Sequence, residues 1–124
     1  MTPDTKVLVA KDDIPLRHLI EKYLQSMGCQ TVLHAENGLV ALQRLAEEEV
    51  DLIISDWQMP ELDGVELFKR LQAHPGRSKI PFLMISSNRE YIEDALAEGI
   101  EHYITIPFAK NTFTQKVEEL LNPR

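Results

Sequence analysis

The sequence predicts one doubly wound α/β domain, residues 1–124, built on a five-stranded parallel sheet of order 2-1-3-4-5. Three observations predict it. Five short apolar runs alternate with five longer amphipathic stretches. The chain carries no internal repeats and no linkers. Its 124 residues suffice for one core and are too few for two ordinary domains. Regular alternation of strand and helix calls for a parallel sheet, joined by right-handed crossovers and covered by helices on both faces.

Val7-Leu8-Val9-Ala10 is the first strand, apolar throughout as a strand buried on both faces should be. Leu16, Leu19, Ile20, Tyr23, Leu24 and Met27 then recur at helical spacing, with Pro15 near the start and Gly28 just past the end. Thr31-Val32-Leu33 is a second, weaker strand, and Asn37-Gly38 opens a helix carrying Ala41, Leu42, Leu45 and Ala46. Leu52-Ile53-Ile54 is the third strand and runs into Ser55-Asp56. A turn-rich segment from Met59 to Gly64 leads to a helix with Val65, Phe68 and Leu71, broken by His74-Pro75-Gly76. Phe82 to Ile85 is the fourth strand, ending at Ser86-Ser87-Asn88. A helix through Tyr91, Ala95 and Leu96 follows, and Gly99 stops it. Tyr103-Ile104-Thr105 is the fifth strand, and the last helix carries Phe113, Val117, Leu120 and Leu121.

Composition narrows the function. The chain is 44% hydrophobic and 27% charged, which suits a soluble globular domain. No run is long enough to span a membrane, and nothing at the N-terminus reads as a signal peptide. Thirteen Lys and Arg against 20 Asp and Glu leave a net charge of −7, which argues against direct binding of nucleic acid. The single cysteine, Cys29, forms no internal disulfide and reads as a small packed residue at a strand start. A cytoplasmic location is expected.

In such sheets ligands sit beyond the carboxyl ends of the strands. There lie Lys11-Asp12-Asp13, Asp56, Ser86 and Ile106-Pro107. A lone Asp at a strand end is ordinarily a turn or cap. Carboxylates converging with a hydroxyl are different. They suit a hard cation such as Mg²⁺, and a carboxylate can attack phosphorus.

Asp56-Trp57-Gln58-Met59-Pro60-Glu61-Leu62-Asp63-Gly64 resembles the D-x-x-M-P-x-x-D-G signature of response-regulator receiver domains. It is especially similar to the single-domain chemotaxis regulators of two-component systems. Val7-Leu8-Val9, Arg17, Asn37-Gly38, Ala41-Leu42 and Pro107-Phe108 extend the resemblance over nearly the whole chain. It implies a flavodoxin-like (βα)5 fold and phosphorelay signalling. Asp56 would take a phosphoryl group from a sensor histidine kinase or a histidine phosphotransfer protein. Asp12, Asp56 and the backbone carbonyl of Gln58 would bind Mg²⁺. Ser86 would contact the phosphoryl group and Tyr103 would shift with it. The face from the fourth helix to the fifth would meet a downstream protein.

Two positions depart from that pattern. Lys11 falls where the family has the first of its acids, leaving Asp12 as the second and Asp13 as the third. Ile106 falls where the family has Lys before Pro-Phe. The pocket is therefore less negative, and a phosphoryl group on Asp56 loses a contact worth about 1.5–3 kcal/mol. Three placements of Lys11 are open. It substitutes for the missing charge, it pairs with Asp56 in the metal's place, or it points to solvent. The resemblance also implies a cis bond before Pro107, with an ordinary trans bond as the alternative.

Other features carry less. His18, His34, His74 and His102 lack metal-ligand spacing, and Glu47-Glu48-Glu49 reads as a solvated helix end. Asp63-Gly64 reads as turn structure, and packing is as good an account of Tyr103 as switching. Flavodoxin-type carriers need a hydroxyl- and Gly-rich loop after the first strand, and haloacid-dehalogenase-type phosphatases need D-x-D there; Lys11-Asp12-Asp13-Ile14-Pro15 is neither. No enzyme with turnover on a separate substrate is expected. The rival is a degenerate receiver, a docking module without productive phosphorylation. The chain acts alone or is a piece of a longer regulator.

Overall fold

The computed structural model describes residues 2–122. Met1, Pro123 and Arg124, the ends of the expected domain, lie outside the described residues. Five strands alternate with five helices: β1 (Lys6–Ala10), α1 (Ile14–Ser26), β2 (Thr31–Ala35), α2 (Gly38–Glu47) and β3 (Leu52–Asp56), then α3 (Gly64–Gln72), β4 (Phe82–Ser86), α4 (Arg89–Ala97), β5 (Tyr103–Thr105) and α5 (Lys110–Leu121). The strands form one parallel sheet in the expected order β2-β1-β3-β4-β5.

Alternation within each strand splits the core in two, because successive side chains leave opposite faces. Val7, Val9, Leu52, Ile54, Leu83 and Ile85 pack against Ile20 and Leu24 of α1 and Phe113, Val117 and Leu120 of α5. Leu8, Ala10, Ile53 and Met84 face the other way, against Ala41 and Leu45 of α2 and Val65, Phe68 and Leu71 of α3. Both faces are thus covered, which explains why β1, β3 and β4 read as unbroken apolar runs.

The structure differs from the expected helix faces at four places. Ala46 of α2, next to the buried Leu45, is exposed. Leu19 is 40% exposed and Leu96 is 47% exposed. Each sits one residue, or about 100° of helix, from a buried neighbour, Ile20 and Ala95. The buried row of α4 is Ile92 and Ala95, so Tyr91 is turned away from the core row. Strands β2 and β3 also run two residues beyond the apolar runs that marked them, to Ala35 and Asp56.

Short polar residues open four helices. Asp13, Asn37, Asp63 and Asn88 each accept a hydrogen bond from a backbone N–H in the first turn of α1, α2, α3 and α4. Gly64 follows one of these caps and lies against the phosphoacceptor candidate. Its N–H donates to the Trp57 carbonyl at 2.8 Å, and an added Cβ would stand 2.1 Å from the Asp56 carbonyl oxygen. That neighbour is backbone and cannot swing aside. Gly64→Ala is expected to destabilise the fold by about 1–3 kcal/mol. Urea unfolding checks this, and an unchanged midpoint would show that the loop yields.

Candidate functional site

The sheet order reverses between β1 and β3. The chain that leaves β1 enters α1 on one face, and the chain that leaves β3 enters α3 on the other. This opens a crevice at the carboxyl ends of those two strands. Register brings the ends level: Ala10 is opposite Ser55, Asp56 opposite Ile85, and Ser86 opposite Thr105. The sequence therefore places Lys11, Asp56, Ser86 and Ile106 along one edge.

Asp56 is buried, with its side chain 9% exposed. Its Oδ1 accepts from the Trp57 backbone N–H at 2.8 Å. Its Oδ2 accepts from the Lys11 ammonium at 2.5 Å. The same ammonium lies 3.6 Å from Oδ1 of Asp12, whose side chain is half exposed. Of the three placements open for Lys11, the structure shows the pair with Asp56. Asp13 is exposed and is spent on the cap of α1, so it adds no charge to this pair.

Burial raises the Asp56 carboxyl above the ordinary carboxylate range, and Lys11 and the Trp57 N–H pull it back only in part. Burial alone would depress the Lys11 ammonium, but the hydrogen bonds and charges of Asp56 and Asp12 outweigh it and hold Lys11 above an ordinary lysine. Lys11 is thus a fixed positive charge at neutral pH.

Ser86 is buried, and its hydroxyl is turned to its own loop. It accepts from the Asn88 N–H at 3.1 Å and lies 3.2 Å from the Asn88 carbonyl. Ile106 is joined to the same strand end, its N–H donating to the Ser86 carbonyl at 2.9 Å. Its side chain packs with the α1 and α5 core. The Ile106-Pro107 bond is cis, as the resemblance implied. Tyr103 is 40% exposed at the start of β5 and is not gathered with Asp56.

A cleft of ≈ 440 Å³ beside Asp56 is lined by Asp12, Trp57, Gln58, Met59, Pro60 and Asp63. A larger one, ≈ 560 Å³, lies between the C-terminal ends of α2 and α3. The strand-end rule and the carboxylates both favour the smaller. Its oxygens are of the kind Mg²⁺ takes. The Lys11 ammonium already rests on Asp12 and Asp56 and must swing aside for a metal to use both.

Response regulator receiver domain is the family whose model matches the chain, over residues 7–118. The chain belongs to that family. Its relatives include the chemotaxis protein CheY homolog of Campylobacter jejuni, 34% identical over 94% of this chain and 92% of that protein. Chemotaxis protein CheY-3 of Vibrio cholerae is 30% identical over 97% of this chain and 94% of its own. Among solved structures, the signal receiver domain of a signal transduction histidine kinase from Syntrophus aciditrophicus aligns with a TM-score of 0.87. It is 29% identical and covers 94% of this chain and 89% of that one. The chain is therefore a receiver domain of two-component signalling, similar over nearly its whole length to chemotaxis receivers.

Sequence reasoning missed one residue of this receiver's site. Tyr91, in the first turn of α4, stacks on Trp57 with ring centroids 5.0 Å apart and planes 8° from parallel. Its hydroxyl accepts from the Gln58 side-chain amide at 2.5 Å. Both partners directly follow Asp56, so Tyr91 ties α4 to the loop after β3. Its signal was its absence from the buried row of α4, which is visible only once that row is known.

Tyr91→Phe is expected to cost no more than about 1 kcal/mol, since the lost bond is exposed. Tyr91→Ala is expected in addition to red-shift the emission of Trp57 by uncovering its ring. Fluorescence of the two variants checks the stack. Lys11→Met is expected to destabilise by about 1.5–3 kcal/mol, the range for hydrogen bonds to charged groups. Because Lys11 is held above its ordinary value of 10.5, the wild-type advantage is full at neutral and mildly alkaline pH, where Asp56 is ionised, and fades on the alkaline side only as pH rises through the higher folded value. Urea unfolding of both proteins across alkaline pH measures it.

Proposed function

We propose that Asp56 accepts a phosphoryl group from a phosphohistidine, on a sensor histidine kinase or a histidine phosphotransfer protein. Occupancy is then read by a protein partner on the face formed by α4, β5 and α5. One observation carries this reading: the buried Asp56 carboxylate sits at the switch point of the sheet, one oxygen held by the Trp57 backbone N–H and the other by the Lys11 ammonium. A carboxylate oxygen attacks phosphorus, the N–P bond breaks, and the imidazole nitrogen keeps the electron pair and takes a proton. The transfer is to the protein's own side chain, so the receiver has no turnover on a separate substrate.

Each neighbour has a role. The Trp57 N–H holds one carboxylate oxygen while the other reacts. The Ser86 hydroxyl is one strand away and reaches the phosphoryl oxygens by leaving Asn88. Tyr103 responds from the edge of the sheet. Mg²⁺ would be held by Asp12, Asp56 and the Gln58 carbonyl once Lys11 moves, and it would neutralise phosphoryl charge. Ile106 offers no ammonium, which shortens the list of stabilising contacts.

The net charge of −7 supports protein partners over nucleic acid. No helix among the described residues is long and apolar enough to cross a membrane. A cytoplasmic setting, where kinases of this class present their phosphohistidine, accords with the single free Cys29.

A second reading has its own support. The Lys11–Asp56 pair and Ile106 together favour a degenerate receiver that docks without phosphorylation. Intact mass after exposure to a histidine kinase, or to a small acyl phosphate, separates the two. Wild type is expected to gain one phosphoryl group and Asp56→Asn none. No gain with either donor would leave the docking module.

A further inference from the structure

We propose that Lys11 is the resident cation of this site, holding the seat between Asp12 and Asp56 so that a phosphoryl-type anion is captured at Asp56 without a divalent metal. The inference rests on the reading of Asp56 as phosphoryl acceptor and says what neutralises the charge there.

Geometry points to it first. One ammonium reaches both carboxylates that a metal would use, at 2.5 Å from Asp56 and 3.6 Å from Asp12. The Lys11 side chain is 14% exposed, so it is part of the site and not a solvated arm. Its root is fixed, because its backbone N–H donates to the Ala35 carbonyl at 2.9 Å and continues the pairing of β1 with β2. From that root the stem crosses the mouth of the crevice.

Chemistry points the same way. Two carboxylates and one ammonium leave one net negative charge, where an acid in place of Lys11 would leave three. The need for a divalent ion falls accordingly. Among the described residues, Lys11 is the only cationic side chain within ion-pair distance of Asp56. Ile106, at the other side of the crevice, packs into the core and donates nothing from its side chain. When a carboxylate becomes an acyl phosphate, negative charge grows and moves outward. The flexible lysine stem and three rotatable donors let the ammonium follow it. The Trp57 N–H stays with Oδ1, so Asp56 is still held. Any divalent ion would have to expel the ammonium from both carboxylates to do the same work.

Beryllofluoride, a phosphoryl analogue, tests this in metal-depleted buffer, with bound fluoride read by fluorine NMR. Wild type is expected to show the bound resonance before any Mg²⁺ is added. Lys11→Met is expected to bind about 10- to 100-fold more weakly there, the loss of one charged hydrogen bond. Lys11→Arg is expected to retain binding, and Lys11→Asp to bind only once Mg²⁺ is supplied. Circular dichroism establishes that each variant is folded, and the wild-type comparison alone decides if one is not. A bound resonance in wild type only after Mg²⁺ would overturn the proposal and leave Asp56 as acceptor. No bound resonance with or without Mg²⁺ would overturn the reading of Asp56 as well.

Discussion

A parallel sheet buried on both faces constrains everything else in this receiver. Its strands cannot turn back on themselves, so each must return through a helix, and every strand then ends at the same edge. The apolar interiors of β1, β3 and β4 leave no room for charge along their length. Polar chemistry is confined to where those strands stop. The order reversal between β1 and β3 then selects one gap along that edge. Lys11 and Asp56 meet because they are the first polar residue after one strand and the last residue of the other.

Burying an ion pair is not by itself a source of stability, because both partners lose water. Here the cost is limited by incomplete burial and by full use of donors. Asp56 has a partner on each oxygen, and Lys11 touches a second, half-exposed carboxylate. Removing either member would strand the other. The pair is therefore better understood as a constraint on what else can occupy the crevice than as a contribution to folding. Lost hydration still outweighs the ammonium, so the Asp56 carboxyl stays above the ordinary range.

The fold was legible because apolar runs of strand length and helical periodicity report burial directly. Asp56, Asp12 and Ser86 were legible because strand ends in this order converge. Rotamers were not. Lys11 could go three ways on sequence alone, and only packing at the mouth of the crevice fixes which. Leu19 and Leu96 show the same limit from the core side: they match the helical spacing, yet a shift of one residue around the helix puts them in solvent. Tyr91 was hidden for the converse reason. An aromatic in an amphipathic stretch reads as core, while here its ring serves as a cover for Trp57.

The approach of Gly64 to the Asp56 carbonyl leaves the two walls of the crevice mechanically unequal. On the α3 side, backbone bears on backbone, and the wall has no slack. On the α4 side, the wall hangs on a hydroxyl shared with Asn88 at 3.1 and 3.2 Å and on a ring stack. Each can loosen without breaking the sheet. The crevice therefore has one stiff jaw and one sprung jaw: backbone sets the first, and side-chain contacts alone set the second.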